Sequence, residues 1–277
     1  MLGAGRAGRS LAQALAAKHT SIVGLHGRGA EPGAALPVTA GALPEALRQA
    51  GVVLVAVRDD QLEAALGELA SAKLAPGAVV LHLSGSRDPH GLGALRALGH
   101  PCGTFHPLVP LAHPEVAASV LRGAWIGVDG DALAVAAAER LAGALGAHTL
   151  RIPPGQKARY HAAAVFASNY PAVLAAMGER LLLESGVEAV AARGATLALL
   201  GGAMENLAHA APDKSLTGPI RRGDVEAVRA HLAALADDPV ALAAYRALAR
   251  AAVDVMRAGG TMSHRLADVA ALLDAAV

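Results

Sequence analysis

Two unbroken apolar runs, Val52-Val53-Leu54-Val55-Ala56-Val57 and Val79-Val80-Leu81, limit what this chain can become more than any other feature. A strand apolar on both faces must be covered on both faces, as in a parallel sheet with helices above and below it. The flanking sequence agrees. Strand-like runs at residues 21–25, 52–57, 79–83, 125–128 and 148–152, with a shorter one at 102–105, alternate with helical patterns at 10–18, 43–50, 61–72, 90–98 and 133–145. Strands alternating with helices of that length predict a parallel sheet joined by crossover helices.

After Ile152 the rhythm changes. Pro153-Pro154-Gly155 is a breaker cluster, and no convincing strand follows it. Helical patterns at 156–184, 187–211, 224–236, 239–258 and 263–276 take over, with Pro171 expected to kink the first and residues 214–219 expected to be an extended polar break. The chain has 277 residues, enough for two domains. Its hydrophobic fraction is 54% but its aromatic fraction only 2%, so much of the apolar content is Ala, which favours helix. The expected fold is α/β plus all-α: a doubly wound Rossmann-type domain over residues 1–152 and a helical domain over 153–277.

Gly3-Ala4-Gly5-Arg6-Ala7-Gly8 matches G-x-G-x-x-G and opens a helix. Glycines there let the backbone turn tightly and approach a pyrophosphate, while free N–H groups of the helix N-terminus attract the anion. Gly3, Gly5, Arg6, Ala7 and Gly8 are therefore candidate cofactor ligands, with Val57 at the next strand end. Only Met1 and Leu2 precede the turn, so its feeding strand is expected to begin upstream of the given start.

An NAD site usually ends its second strand with Asp or Glu on the ribose 2′-hydroxyl. Here the residues are Gly24-Leu25-His26-Gly27-Arg28, and the first carboxylate is Glu31. A guanidinium at Arg28 suits a 2′-phosphate, with Arg6 a further contact, so the expected cofactor is NADP.

The remaining composition excludes several classes. With 24 basic and 23 acidic residues there is no basic excess for nucleic acid. A single cysteine, Cys102, rules out an internal disulfide framework and reads as a buried thiol in a reducing cytoplasm. The longest apolar run, 162–177, is interrupted by Ser168, Asn169 and Pro171, so no membrane span is expected. Twelve histidines show no metal-ligand spacing, and no metal is expected.

In doubly wound sheets, ligands bind beyond the carboxyl ends of the strands. Asp60, just after the run at 52–57, reads as a helix cap. Ser84 and Ser86 in His82-Leu83-Ser84-Gly85-Ser86, and His106 in Phe105-His106-Pro107-Leu108, stand where nicotinamide and substrate would meet. In the second half Lys157 and His161 are four apart on one helix face beside Tyr160, and Asn169 lies farther along the same helix. A Lys there could protonate a developing alkoxide or amine if its pKa is drawn toward neutrality. Thr217, Arg221 and Arg222, ahead of a helix cap at Asp224, could hold a substrate carboxylate.

These motifs, together with Tyr160-His161-Ala162-Ala163-Ala164-Val165-Phe166-Ala167-Ser168-Asn169-Tyr170 and Leu216-Thr217-Gly218-Pro219-Ile220-Arg221-Arg222-Gly223-Asp224, resemble, nearly end to end, the bacterial Rossmann-like proteins with the domain of unknown function 2520. Those proteins are relatives of the 6-phosphogluconate dehydrogenase, 3-hydroxyacid dehydrogenase and pyrroline-5-carboxylate reductase group. The resemblance implies an NADP-linked oxidoreductase with a helical C-terminal domain that forms a homodimer. In better-known relatives a Lys followed by Asn acts on the substrate. Lys157 matches the Lys loosely, and His161 stands where the Asn would be. Some proteins of similar build look like ketopantoate reductases. The expected activity is reduction of a small carboxylate-bearing carbonyl or imine compound, the alternatives being a non-catalytic NADP(H) sensor or a structural dimer with a vestigial turn.

Overall fold

A computed structural model describes residues 1–111, 113–261 and 263–275. Ala276, the last residue of the final predicted helix, lies outside them. The chain divides into two compact units, Met1–Asn169 and Tyr170–Val277.

The first unit carries seven strands among its described residues: β1 Leu25–His26, β2 Val38–Thr39, β3 Val52–Val55, β4 Val79–His82, β5 Cys102–Pro107, β6 Trp125–Gly130 and β7 His148–Arg151. Strands β3 to β7 pair in chain order, and β1 pairs with β2. Leu2 joins the two groups, bridging in parallel to His26 on one side and Val55 on the other. The spatial order is thus β2-β1-Leu2-β3-β4-β5-β6-β7. The chain begins at the centre, winds to one edge and returns to build the other side, which is the doubly wound plan.

Helices cover both faces, as the doubly apolar strands demand. On one face Leu54, Val79, Leu81, Phe105, Ile126 and Val128 pack against α1 Arg6–Ala16, α4 Ala117–Leu121 and α5 Ala132–Leu145. On the other, Val53, Val55, Val80 and Cys102 meet α2 Leu62–Ser71 and Leu95 of α3 Gly93–Ala97. Adjacent strand residues point to opposite faces, so consecutive apolar residues serve two cores. Cys102 is buried within the second of these, and burial raises its thiol to about 11.

The structure of this unit departs from the sequence reading at several points. The run at 21–25 contributes only its last residue to β1, and β2, two residues long, carries no periodic signal. The helix expected at 43–50 is a single 3₁₀ segment, Glu45–Gln49. Strand β6 is antiparallel to β5, where a parallel sheet was expected. The cause is the return path: the chain leaves β5 and re-enters β6 at the same end, where Leu108 N–H donates to the Trp125 carbonyl at 2.8 Å. Residues 113–124 bring α4 against α1 instead of crossing the sheet. Finally, Asp60 does not cap α2; it pairs with Arg58 at 2.9 Å.

Helix α6, Lys157–Glu184, starts in the first unit, and Pro171 lies inside it. The second unit continues with α7 Ala189–His209, α8 Pro212–Ser215, α9 Gly218–Arg222, α10 Val225–Ala234, α11 Pro239–Ala258 and α12 His264–Asp274. The stretch expected as an extended break thus holds two short helices. Val228, Val253, Met256, Val269 and Leu273 form a core among α10, α11 and α12. Asp224, Asp238 and Ser263 each cap the helix that follows by accepting a first-turn N–H. Among the described residues, no helix is long and apolar enough to cross a membrane.

Leu81 of β4 is fully buried in the first-unit core that includes α1 and α5. Leu81→Ala should cost about 2–5 kcal/mol, read as a fall in the urea midpoint at unchanged slope. A loss below about 0.5 kcal/mol, the level of ordinary surface changes, would contradict this packing.

Candidate functional site

The Gly-rich turn sits at the carboxyl end of Leu2, between β1 and β3. Gly3 has φ +102°, a left-handed conformation that favours glycine, and a Cβ there would lie 2.4 Å from the Ala56 carbonyl oxygen. At Gly8 a Cβ would fall 1.9 Å from the Gly3 carbonyl oxygen. The first glycine lets the turn approach β3, and the third lets α1 close down on the turn. Nothing lies within 4 Å of a Cβ at Gly5, which faces open space and caps α1 without a side-chain bond. No acidic residue stands in the first turn. The helix therefore presents uncapped amides and the positive end of its dipole.

In front of the turn lies a cleft of about 620 Å³, lined by Gly3, Gly5, Gly27, Arg28, Val57 and Arg58 among others. Arg28 is exposed and has no ion-pair partner among the described residues. Arg58 pairs with Asp60, and Arg9 pairs with Glu31 across the same cleft. Arg6 and Ala7 occupy the first turn of α1 without lining it. Arg9 went unnoticed in the sequence, although it lies one turn beyond Arg6 on the same helix.

A second set of groups collects beyond β4 and β5. Lys157 is 1% exposed, and its Nζ donates to the Ser84 carbonyl and to Thr104 Oγ1, both at 3.1 Å. Burial lowers its pKa to about 8, against the weaker raising effects of Asp129, Asp88 and Asp59. The ammonium also lies 5.6 Å from the Tyr160 ring centre, within cation–π range. His106 Nδ1 and the Tyr160 hydroxyl share a 2.7 Å hydrogen bond. Burial, then the Lys157 charge, lowers His106 to about 4, and burial raises Tyr160 far above the usual phenol range. At neutral pH both groups are uncharged.

His161 stands one turn beyond Lys157 and meets the same loop. A Cβ on Gly85 would lie 2.5 Å from His161 Nδ1 and 2.7 Å from His106 Nε2, so glycine is what allows both imidazoles to close on the loop. His161 Nδ1 is buried without a partner, as are both ring nitrogens of His82. Gly127 does for Tyr160 what Gly85 does for the histidines: a Cβ there would sit 2.1 Å from the phenol oxygen. Tyr160, Gly85, Gly127 and Thr104 were not among the predicted site residues. The sequence offered no signal for Gly127, whose neighbour Tyr160 comes from a distant segment.

The other predicted residues take separate positions. Ser84 Oγ accepts the N–H groups of Ser86 and Arg87 at 3.3 and 3.0 Å, closing the loop, while Ser86 Oγ donates to Asp59 at 2.6 Å. Asn169 is exposed, twelve residues and roughly 18 Å along α6 from Lys157. Thr217, Arg221 and Arg222 belong to the second unit. There Thr217 precedes α9 without a side-chain cap, and Arg221 donates to the Asp213 carbonyl at 2.6 Å.

Residues 124–252 match the family described as Domain of unknown function (DUF2520). The DUF2520 match spans β6 to most of α11 and takes in the Tyr160–Tyr170 and Leu216–Asp224 motifs, whereas the Gly-rich turn, the Ser84 loop and His106 lie before it.

The fold as a whole resembles Rossmann-like reductases with a helical C-terminal part. A Bacteroides fragilis protein assigned as an NADP oxidoreductase is 20% identical with TM-score 0.69, over 91% of this chain and 95% of that one. A Thermotoga maritima protein is 23% identical with TM-score 0.66, over 81% and 84%. A Plasmodium falciparum pyrroline carboxylate reductase, solved with NADP bound, is 13% identical with TM-score 0.60, over 97% and 96%. No curated protein matches the chain.

The buried ammonium has a pH signature. Lys157 holds its proton up to about pH 10.5 when unfolded but only to about 8 when folded. Between those values the unfolded chain binds more protons, so stability rises with pH. Relative to Lys157→Met, the natural protein should gain about 3 kcal/mol from pH 8 to 10.5 in urea unfolding. Parallel pH curves for the two proteins would show a solvated ammonium.

Proposed function

We propose that this protein is a cytoplasmic NADP(H)-dependent oxidoreductase that reduces a small carboxylate-bearing carbonyl or imine compound, working as a homodimer through its helical half. One observation carries the reading: Gly3 and Gly8 stand where any Cβ would strike backbone, in front of an uncapped helix end and a cleft. Such a cradle fits a diphosphate. The free amides of the first α1 turn would hold it, and the unpaired Arg28 would meet the 2′-phosphate.

When bound, a dihydronicotinamide supplies a hydride to the carbon of a C=O or C=N bond. The protein's share is the proton that the oxygen or nitrogen takes up, together with orientation. Lys157, with its pKa lowered to about 8, is the candidate donor, with His106 or His161 as substitutes. Ser84 and Ser86 border the same loop and would orient the substrate. Dimer formation is supported by apolar side chains that α6 and α7 leave exposed, among them Val173, Val190, Leu199 and Met204 at 52%, 79%, 73% and 63%.

One observation favours a non-catalytic NADP(H) sensor. Two of the three Lys157 donors are already committed inside the protein, as a structural tie would require. A screen of keto acids and cyclic imines, followed by NADPH absorbance, separates the two. Turnover of any of them establishes the enzyme, whereas tight NADPH binding without turnover establishes the sensor.

Arg28→Ala should weaken NADPH binding by roughly 1.5–3 kcal/mol and leave NADH binding nearly unchanged, by calorimetric titration. Equal losses for both nucleotides would place Arg28 outside the 2′-phosphate contact.

A further inference from the structure

Arg9 and Glu31 close over the adenosine side of the cleft in a way that the glycine-turn reading does not require. The Arg9 Nε donates to the Ala4 carbonyl at 2.7 Å, which ties the guanidinium to the phosphate turn. Its two terminal nitrogens donate to the two Glu31 carboxylate oxygens at 2.7 and 2.5 Å. Glu31 is held from behind: its N–H donates to the Val38 carbonyl at 2.9 Å, and its carbonyl accepts from Val38 N–H at 3.1 Å. The side chain therefore reaches from the β2 edge back to α1. Both residues line the same cleft as Arg28.

A guanidinium fork meets carboxylate and phosphate through the same paired N–H···O geometry. Glu31 is thus an anion seated on a cation that already faces the nucleotide cleft. It is also the first carboxylate after β1, the chemistry that would accept ribose hydroxyls were it free. The pair is partly solvated, with Arg9 28% and Glu31 51% exposed, so opening it exposes no buried charge.

We propose that Arg9–Glu31 is a specificity clasp. The 2′-phosphate of NADP(H) displaces the Glu31 carboxylate from Arg9 and takes its place. NADH, lacking that phosphate, leaves the clasp shut and Glu31 masked. Glu31 then acts as an internal competitor that lowers NADP(H) affinity, and Arg9 is a second phosphate-recognising cation beside Arg28. The inference rests on the proposed dinucleotide site and adds to it which residues set nucleotide choice.

Calorimetric titration of the full chain with NADPH, NADH, adenosine 2′,5′-bisphosphate and AMP tests the clasp. Glu31→Gln removes the competitor and should tighten NADPH and the bisphosphate by about three- to tenfold, leaving NADH and AMP unchanged. Arg9→Ala should weaken NADPH and the bisphosphate by about tenfold or more while NADH binding holds or strengthens, because Glu31 is released. Arg9→Lys should fall between, since an ammonium lacks the fork. Unchanged thermal melting of all variants confirms that the effect is on the ligand. Equal shifts for phosphorylated and unphosphorylated nucleotides, or none, in a protein that binds them would overturn the clasp alone. Binding of none of the four by the natural protein would overturn the dinucleotide site as well.

Discussion

The first unit depends on the hydrogen bonds that run to either side of Leu2. Leu2 N–H donates to Leu54 at 2.8 Å and its carbonyl accepts from Ala56 at 2.6 Å, while Gly3 N–H donates to His26 at 2.8 Å. These bonds join the β1–β2 pair to the β3–β7 sheet. They also hold the Gly-rich turn at the point where the chain switches direction, and there a doubly wound sheet leaves a crevice at its strand ends. Every feature of the cleft, from the α1 amides to Arg28 on one side and Val57 on the other, is placed by that junction.

The second set of groups follows a different constraint. Lys157, His106 and His161 close on the Ser84-Gly85 loop, and Tyr160 joins them through its bond to His106. Desolvation is the first cause of the shift in Lys157, His106 and Tyr160 alike, and in each it favours the neutral form. The result is an ammonium drawn toward neutrality beside a His106 imidazole that stays uncharged. Such a cluster can hold or pass a proton without stabilising an ion. The glycines make it dense, because Gly85 and Gly127 surrender the space that the rings and the phenol fill.

Much of the architecture was legible in the residues. Val53 and Val55 face one core and Leu54 the other, as an apolar run in a covered strand must. The change of rhythm after Ile152 marked where strands cease. Asp224 was readable as a cap because a short acceptor side chain before an apolar helix has one favoured use. The reversed β6 was not legible, because an apolar strand reads the same in either direction and the return of the chain depends on α4 finding α1. Nor was β2, too short for any period to show.

For the candidate site the division is sharper. The spacing of Lys157 and His161 already placed them on one helix face, and the three-glycine pattern already implied a turn with no room for side chains. Those are local facts, carried by the α-helical repeat and by the absence of a Cβ. Tertiary structure alone decided that Tyr160 would bond His106, that Gly127 would make room for it, and that Glu31 would seat itself on Arg9. Each of those pairs joins segments far apart in the chain, and only the folded sheet fixes the distance between them.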